Sequence, residues 1–172
     1  KDYRTGTTRV YVHDPADPNS LSNSATTKIR KDKTGNLWIG TYNGLNHFNV
    51  KTEKFTRYND HVNAQNAVSG IYEDSDSTLW LTYFCGGLEF HNWKTGKRTY
   101  YLNDAGDLNT ISWNCISAFY KDNSNDLWLG TIAWKGLNKF DRASGKFSHY
   151  LPGEYINCIY GDASGIMWVG TE

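Results

Sequence analysis

At 172 residues, with 18 Lys and Arg set against 18 Asp and Glu, the chain has the length of a single domain and no net charge to draw it to nucleic acid or an acidic membrane surface. Aromatic residues form 15% of it and glycines number 16, a composition that suits short strands joined by tight turns. No apolar run approaches the roughly 18 residues of a membrane helix, Lys1-Asp2-Tyr3-Arg4 does not begin a signal peptide, and no membrane contact is expected of this segment.

Residues 1–23 read as the last strand of one unit followed by a linker. Asp2-Tyr3-Arg4-Thr5-Gly6-Thr7-Thr8-Arg9-Val10-Tyr11 aligns with Asp141-Arg142-Ala143-Ser144-Gly145-Lys146-Phe147-Ser148-His149-Tyr150, a turn and an outer strand. Asp14-Pro15-Ala16-Asp17-Pro18-Asn19-Ser20 then has the composition of a loop.

A unit over 24–65 follows, then others over 66–112 and 113–154, and a partial one over 155–172. Each carries a strand centred on a tryptophan (Trp38, Trp80, Trp128, Trp168) and an aspartate six residues earlier (Asp32, Asp74, Asp122, Asp162). The spacing of about 40 to 50 residues is that of β-propeller blades or of helical arrays. Four short β-branched or aromatic runs per repeat, separated by Gly, Asn and Asp, select the propeller. The expected fold is therefore all-β: one outer strand, three complete four-stranded blades and one opening hairpin. Such an arc leaves end faces that further blades of a parent propeller, or a second copy, would cover.

Cys85, Cys115 and Cys158 show no C-x-x-C spacing. They indicate neither a disulfide framework nor zinc, and Cys115 and Cys158 read as small buried hydrophobes in strands. The four aspartates occur one per repeat, so they read as turn formers, and no metal or cofactor is expected.

Residues shared by every repeat serve the blade, which assigns the four tryptophans to packing between blades. Exceptions to the repeat are the candidates for function. The loops between second and third strands supply Tyr42 and Asn43, Tyr83 and Phe84, and Trp134 and Lys135; the joints between blades supply His61, Trp113 and Asn114. In a propeller both loop classes emerge on one face at the mouth of the central channel, while Trp93 lies in a turn on the opposite face. Aromatic rings beside amide and ammonium groups suit sugar recognition, the rings covering apolar C–H patches of a pyranose. Thr82 and Tyr83 depart from the Gly-Thr of the other repeats, which puts the second blade's loop geometry in question.

The string Asp32-Lys33-Thr34-Gly35-Asn36-Leu37-Trp38-Ile39-Gly40-Thr41, with Gly44-Leu45-Asn46-His47-Phe48 and Phe55-Thr56-Arg57-Tyr58 after it, resembles the two-component regulator propeller repeat, as does Asp14-Pro15-Ala16-Asp17-Pro18-Asn19-Ser20-Leu21-Ser22. The resemblance implies the periplasmic part of a membrane sensor with a histidine kinase elsewhere in the protein, and an oligosaccharide as ligand. It brings no catalytic residues. The alternatives are blades that only join protein partners, and a carbohydrate-active propeller enzyme. The latter would need paired carboxylates, or a tyrosine or histidine with a basic partner, converging on the channel; Glu154, Asp107, His61 and Lys135 lie on the right face but share no recognisable spacing.

Overall fold

The computed structural model describes residues 6–58 and 67–172. Among these every regular element is a strand. The first sheet is built from β1 (Thr26–Lys31), β2 (Leu37–Thr41), β3 (Gly44–Asn49) and β4 (Lys54–Tyr58), paired antiparallel in sequence order. The second holds β5 (Val68–Ser75), β6 (Thr78–Tyr83), β7 (Gly87–Asn92) and β8 (Lys97–Tyr101), and the third β9 (Ile116–Lys121), β10 (Leu127–Thr131), β11 (Leu137–Asp141) and β12 (Lys146–Tyr150). A hairpin of β13 (Ile156–Gly161) and β14 (Met167–Thr171) completes the chain. Successive first strands lie beside one another, β1 by β5, β5 by β9 and β9 by β13. The molecule is an open arc of propeller blades with those four strands on its inner side.

Period-2 alternation sets each sheet's faces. The apolar faces close on the next blade: Trp80, Leu88, Ile111, Ile116, Leu127, Leu129, Phe140 and Phe147 make one buried cluster across the second and third blades. Each such side chain contributes roughly 1.5–3 kcal/mol on burial. Trp38 wedges against Trp93 of the following blade at 5.7 Å between ring centres, and Trp80 against Phe140 at 5.3 Å. The other two depart from the expected wedge. Trp128 is half-buried against Tyr150 of its own blade, and Trp168 is 59% exposed. The wedging partners of Trp38 and Trp80 come from the turn after the third strand and from the third strand itself of the following blade.

The aspartate turn is visible in atomic detail. Asp32 Oδ1 accepts the N–H groups of Thr34 and Asn36, both at 2.8 Å, and Asp162 Oδ1 accepts those of Ser164 and Ile166 at 2.9 and 3.0 Å. Gly35, Asn125 and Gly165 adopt φ of 93°, 71° and 87° to close it, a region open to Gly and Asn and costly to Ser. The second blade has Ser77 at that position and makes a different turn. β5 runs on through a bulge to pair Ser75 with Thr78, and Asp74, released from capping, accepts a 2.6 Å hydrogen bond from Arg142 of the third blade.

Linkers of like sequence fill like roles. Leu21 packs with Phe48 and Phe55, and Ile111 with Phe140 and Phe147. The N–H of Ser22 donates to Asn46 Oδ1 and that of Ser112 to Asn138 Oδ1.

Three expectations need correction. Residues 6–12 form no strand; Tyr11 still packs on Phe48 and Phe55, at 5.0 and 5.7 Å. Cys115 sits just ahead of β9 in a disulfide with Cys85. Cys158, although in β13, is exposed rather than buried.

Candidate functional site

Three loops rise on one face from the ends of β2, β6 and β10. A repeated hydrogen bond roots them: the N–H of Tyr42 donates to Ala25 O, that of Phe84 to Ala67 O and that of Ile132 to Cys115 O. Each loop thereby starts beside the residue that enters an inner strand. This is why side chains at the loop tips gather at the upper end of the concave wall.

Tyr42 and Phe84 border one hollow of about 400 Å3, floored by Thr26, Val68, Ser69 and Ile116. Phe84 also borders a second of about 250 Å3, with the Cys85–Cys115 disulfide, Ile132 and Tyr155. Trp134 stands edge-on to Tyr155 at 6.3 Å. Tyr42, Phe84 and Trp134 are 64%, 65% and 63% exposed, so their rings do not serve the blade interior. Ala133 and Trp134 hold φ of 59° and 56°, a left-handed pair uncommon away from glycine that concentrates at ligand-contacting loops. The N–H of Gly153 donates to Trp134 O at 3.2 Å, which ties that loop to the joint after it.

The remaining candidates divide. Lys135 Nζ lies 5.8 Å from the centre of the Trp113 ring, and the two border a separate hollow of about 350 Å3 with Asn103, Asp104, Asp107 and His149. Asp104 and Asp107 are committed there to their own turn, accepting from the N–H groups of Gly106 and Asn109. Those hydrogen bonds at Asn109 hold the Asp107 carboxyl below its ordinary pKa. Asn114 braces the joint: its Oδ1 accepts from the N–H of Asn103 at 2.7 Å and its carbonyl from that of Gly87 at 2.9 Å. Asn43 closes its turn by donating its N–H to Thr41 Oγ1. His61 lies outside the described residues.

Tyr83 is a correction. It is 1% exposed, and its hydroxyl donates to Glu89 Oε2 at 2.8 Å inside the second blade. Burial first, and the Glu89 charge next, push the phenol well above its ordinary pKa. Glu89 Oε1 meets His91 Nδ1 at 3.0 Å and Arg98 at 3.4 Å. This buried polar set occupies the columns that hold Thr41, Asn46, Phe48 and Phe55 in the first blade, and the sequence before the second blade lacks a counterpart of Asn19-Ser20-Leu21 and Asn109-Thr110-Ile111.

Tyr155 was missed, though a signal existed. Its repeat position holds Ala25, Ala67 and Cys115 elsewhere, so a bulky ring there is an exception of the same kind as Trp134. The disulfide had no comparable signal, because its cysteines belong to different blades.

Among the described residues no carboxylate and no histidine borders the two mouth hollows, and no group of three or more His, Cys, Asp or Glu could hold a metal. No helix among them is long and apolar enough to cross a membrane.

Residues 20–43, 110–133 and 150–172 match the profile of the family described as two component regulator propeller. No curated protein matches the sequence. Among solved structures, the extracellular domain of a putative hybrid two-component system from B. thetaiotaomicron is similar at 27% identity and a TM-score of 0.81, over 99% of this chain and 22% of that one. The extracellular domain of a second putative hybrid system from that organism is 23% identical with a TM-score of 0.75, over 94% of this chain and 24% of that one. Virginiamycin B lyase from Staphylococcus aureus is 18% identical with a TM-score of 0.66, over 84% of this chain and 48% of the enzyme. The last two likenesses show the fold alone. The chain spans about a fifth to a quarter of the sensor domains it resembles.

Proposed function

Since this chain carries two-component regulator propeller repeats, we propose that it is a non-catalytic, ligand-binding part of a sensor and that its mouth takes an oligosaccharide. One observation carries the reading. Tyr42 and Phe84 border adjoining hollows that share Phe84, Trp134 stands edge-on to Tyr155 of the second, and all three residues are about two-thirds exposed. Flat rings held by rooted loops offer stacking surfaces for pyranose C–H faces, and the hydroxyls of Thr26, Ser69 and Ser117 stand beneath them.

Two observations support an extracytoplasmic, periplasmic setting for it. The similar sensor domain at 27% identity is extracellular, and the Cys85–Cys115 disulfide is of a kind that persists in oxidising compartments. Ile29 and Trp168, exposed on the two end faces, would pack against further blades or a second copy.

Calorimetric titration of the full chain against a panel of neutral oligosaccharides tests the proposal, with products followed by chromatography. Saturable heat without turnover is expected, weakened about tenfold in Phe84→Ala or Trp134→Ala, a loss on the order of 1.4 kcal/mol. Turnover of any sugar, or binding indifferent to both substitutions, would sink it.

A further inference from the structure

Below the mouth, the inner strands border a larger hollow of about 590 Å3 whose charged residues are all cations: Lys28 and Arg30 of β1 and Lys121 of β9. The chain as a whole balances 18 cations with 18 anions, so the segregation is local. Arg30 and Lys121 share one aromatic ring, the guanidinium carbon lying 5.2 Å and the ammonium 5.1 Å from the centre of Tyr72. The two charges are therefore no more than about 10 Å apart. Neither they nor Lys28 forms an ion pair with any described carboxylate. Glu73, next along β5, is engaged at the turn of the first blade, where its Oε2 accepts the N–H of Lys33 at 3.3 Å.

Contacts with a ring face position cations without neutralising them. Cations of one sign gathered at a tyrosine in a concave wall concentrate positive potential there, which favours an anion entering the hollow. A guanidinium and an ammonium together match the oxygens of a carboxylate or a sulfate ester. Lys28 borders both this hollow and the one beneath Tyr42 and Phe84, which joins the charged wall to the aromatic mouth.

We propose that the inner wall binds the acidic group of a charged saccharide, with Arg30 and Lys121, and Lys28 toward the mouth, supplying the positive charge of the hollow. The inference rests on the reading of the mouth as a saccharide site and adds the charge of the ligand. Sugar rings would stack on the mouth aromatics while the carboxylate or sulfate reaches down to Arg30. Attraction of this kind weakens as salt rises.

The test titrates the full chain with digalacturonate, a sulfated galactobiose, neutral galactobiose and sodium sulfate. The acidic disaccharides are expected to bind at least about tenfold more tightly than the neutral one at low salt, with the gap narrowing at high salt. The pair Arg30→Gln and Lys121→Gln should remove that advantage and leave the neutral sugar unchanged, while Arg30→Lys keeps most of it. Should the double variant not fold, Arg30→Gln alone, on the exposed first strand, serves, with acidic binding weakened and neutral binding kept. Equal affinity for neutral and acidic sugars, acidic binding unmoved by these variants, or sulfate ion bound as tightly as the sulfated sugar each overturns the proposal. Phe84→Ala reads the mouth separately. If it still weakens neutral binding while acid selectivity is absent, only this inference falls; if no saccharide binds, both readings fall.

Discussion

The carboxylate of Asp74 accepts a 2.6 Å hydrogen bond from Arg142 across the seam between the second and third blades, in the place where Asp32, Asp122 and Asp162 cap turns of their own. Arg142 also lies over the Trp80 ring, 5.6 Å from its centre. The pair thus ties the wedging tryptophan of one blade to the turn of the next. Asp74→Ala and Arg142→Ala are each expected to cost about 2 kcal/mol, since either leaves a mostly buried charge without its partner. A double-mutant cycle by urea unfolding should give a coupling on the order of 1 kcal/mol. Additive losses would show that the seam does not depend on this contact.

Asp74 also shows what a sequence repeat hides. The aspartate column is uniform in the chain, yet only three members cap, because the capping turn needs a left-handed residue and Ser77 does not supply one. That signal was in the sequence, at 77 rather than at 74. Tyr83 misled in the opposite way: a departure from the Thr41 and Thr131 column looked like a ligand contact, but Glu89, His91 and Arg98 depart with it, and the four face inward together. Blade number and order were legible because every complete blade must bury the same faces. Contacts across seams were not, since they join residues such as Cys85 and Cys115 whose pairing only the stacking of blades decides. Tyr42, Phe84 and Trp134 fall between these cases, their exposure following from loop position and their grouping from the shared rooting of the loops.

The disulfide makes a plain prediction about thiols. Native protein should show one reactive thiol, Cys158, which is free and exposed, and the full three only after reduction and unfolding. The bond closes a loop with a sequence separation of 30, for which the chain-entropy account gives roughly 3–4 kcal/mol. Replacing both cysteines with serine should lower stability by up to that amount and loosen the loop that carries Phe84. Three reactive thiols in the native protein would refute the pairing.

Acid should loosen the aspartate turns. Hydrogen bonds from Ser164 and then Trp168 lower the pKa of Asp162 from 3.8 to about 2. At Asp32 burial works upward, but the bonds from His47 and Thr34 outweigh it and leave the pKa lowered. A carboxyl whose folded pKa lies below its unfolded value stabilises the fold above the unfolded pKa, and that stabilisation is lost as pH falls through the folded one. Unfolding midpoints should therefore drop between about pH 4 and pH 2, and Asp162→Asn should flatten part of that drop. The variant would lie below the parent at pH 6 and approach it at pH 2. An unchanged pH profile would remove Asp162 from the account.

Thr82 replaces the glycine of the other tryptophan strands, and the strand beside it makes room. Gly70 is its cross-strand partner, and a Cβ added there would come within 2.5 Å of Thr82 Oγ1. In the third blade the same pair is reversed in size, with Gly130 opposite Ala118. Gly70→Ala alone should thus destabilise by about 1–3 kcal/mol through overpacking. Gly70→Ala with Thr82→Gly recreates the arrangement of the third blade, at the loss of the Ser69–Thr82 hydroxyl contact of 2.9 Å. The double variant should recover most of the stability lost in the single one by urea unfolding. Failure to recover would mean that Thr82 is held by the blade for its hydroxyl rather than for the volume it fills.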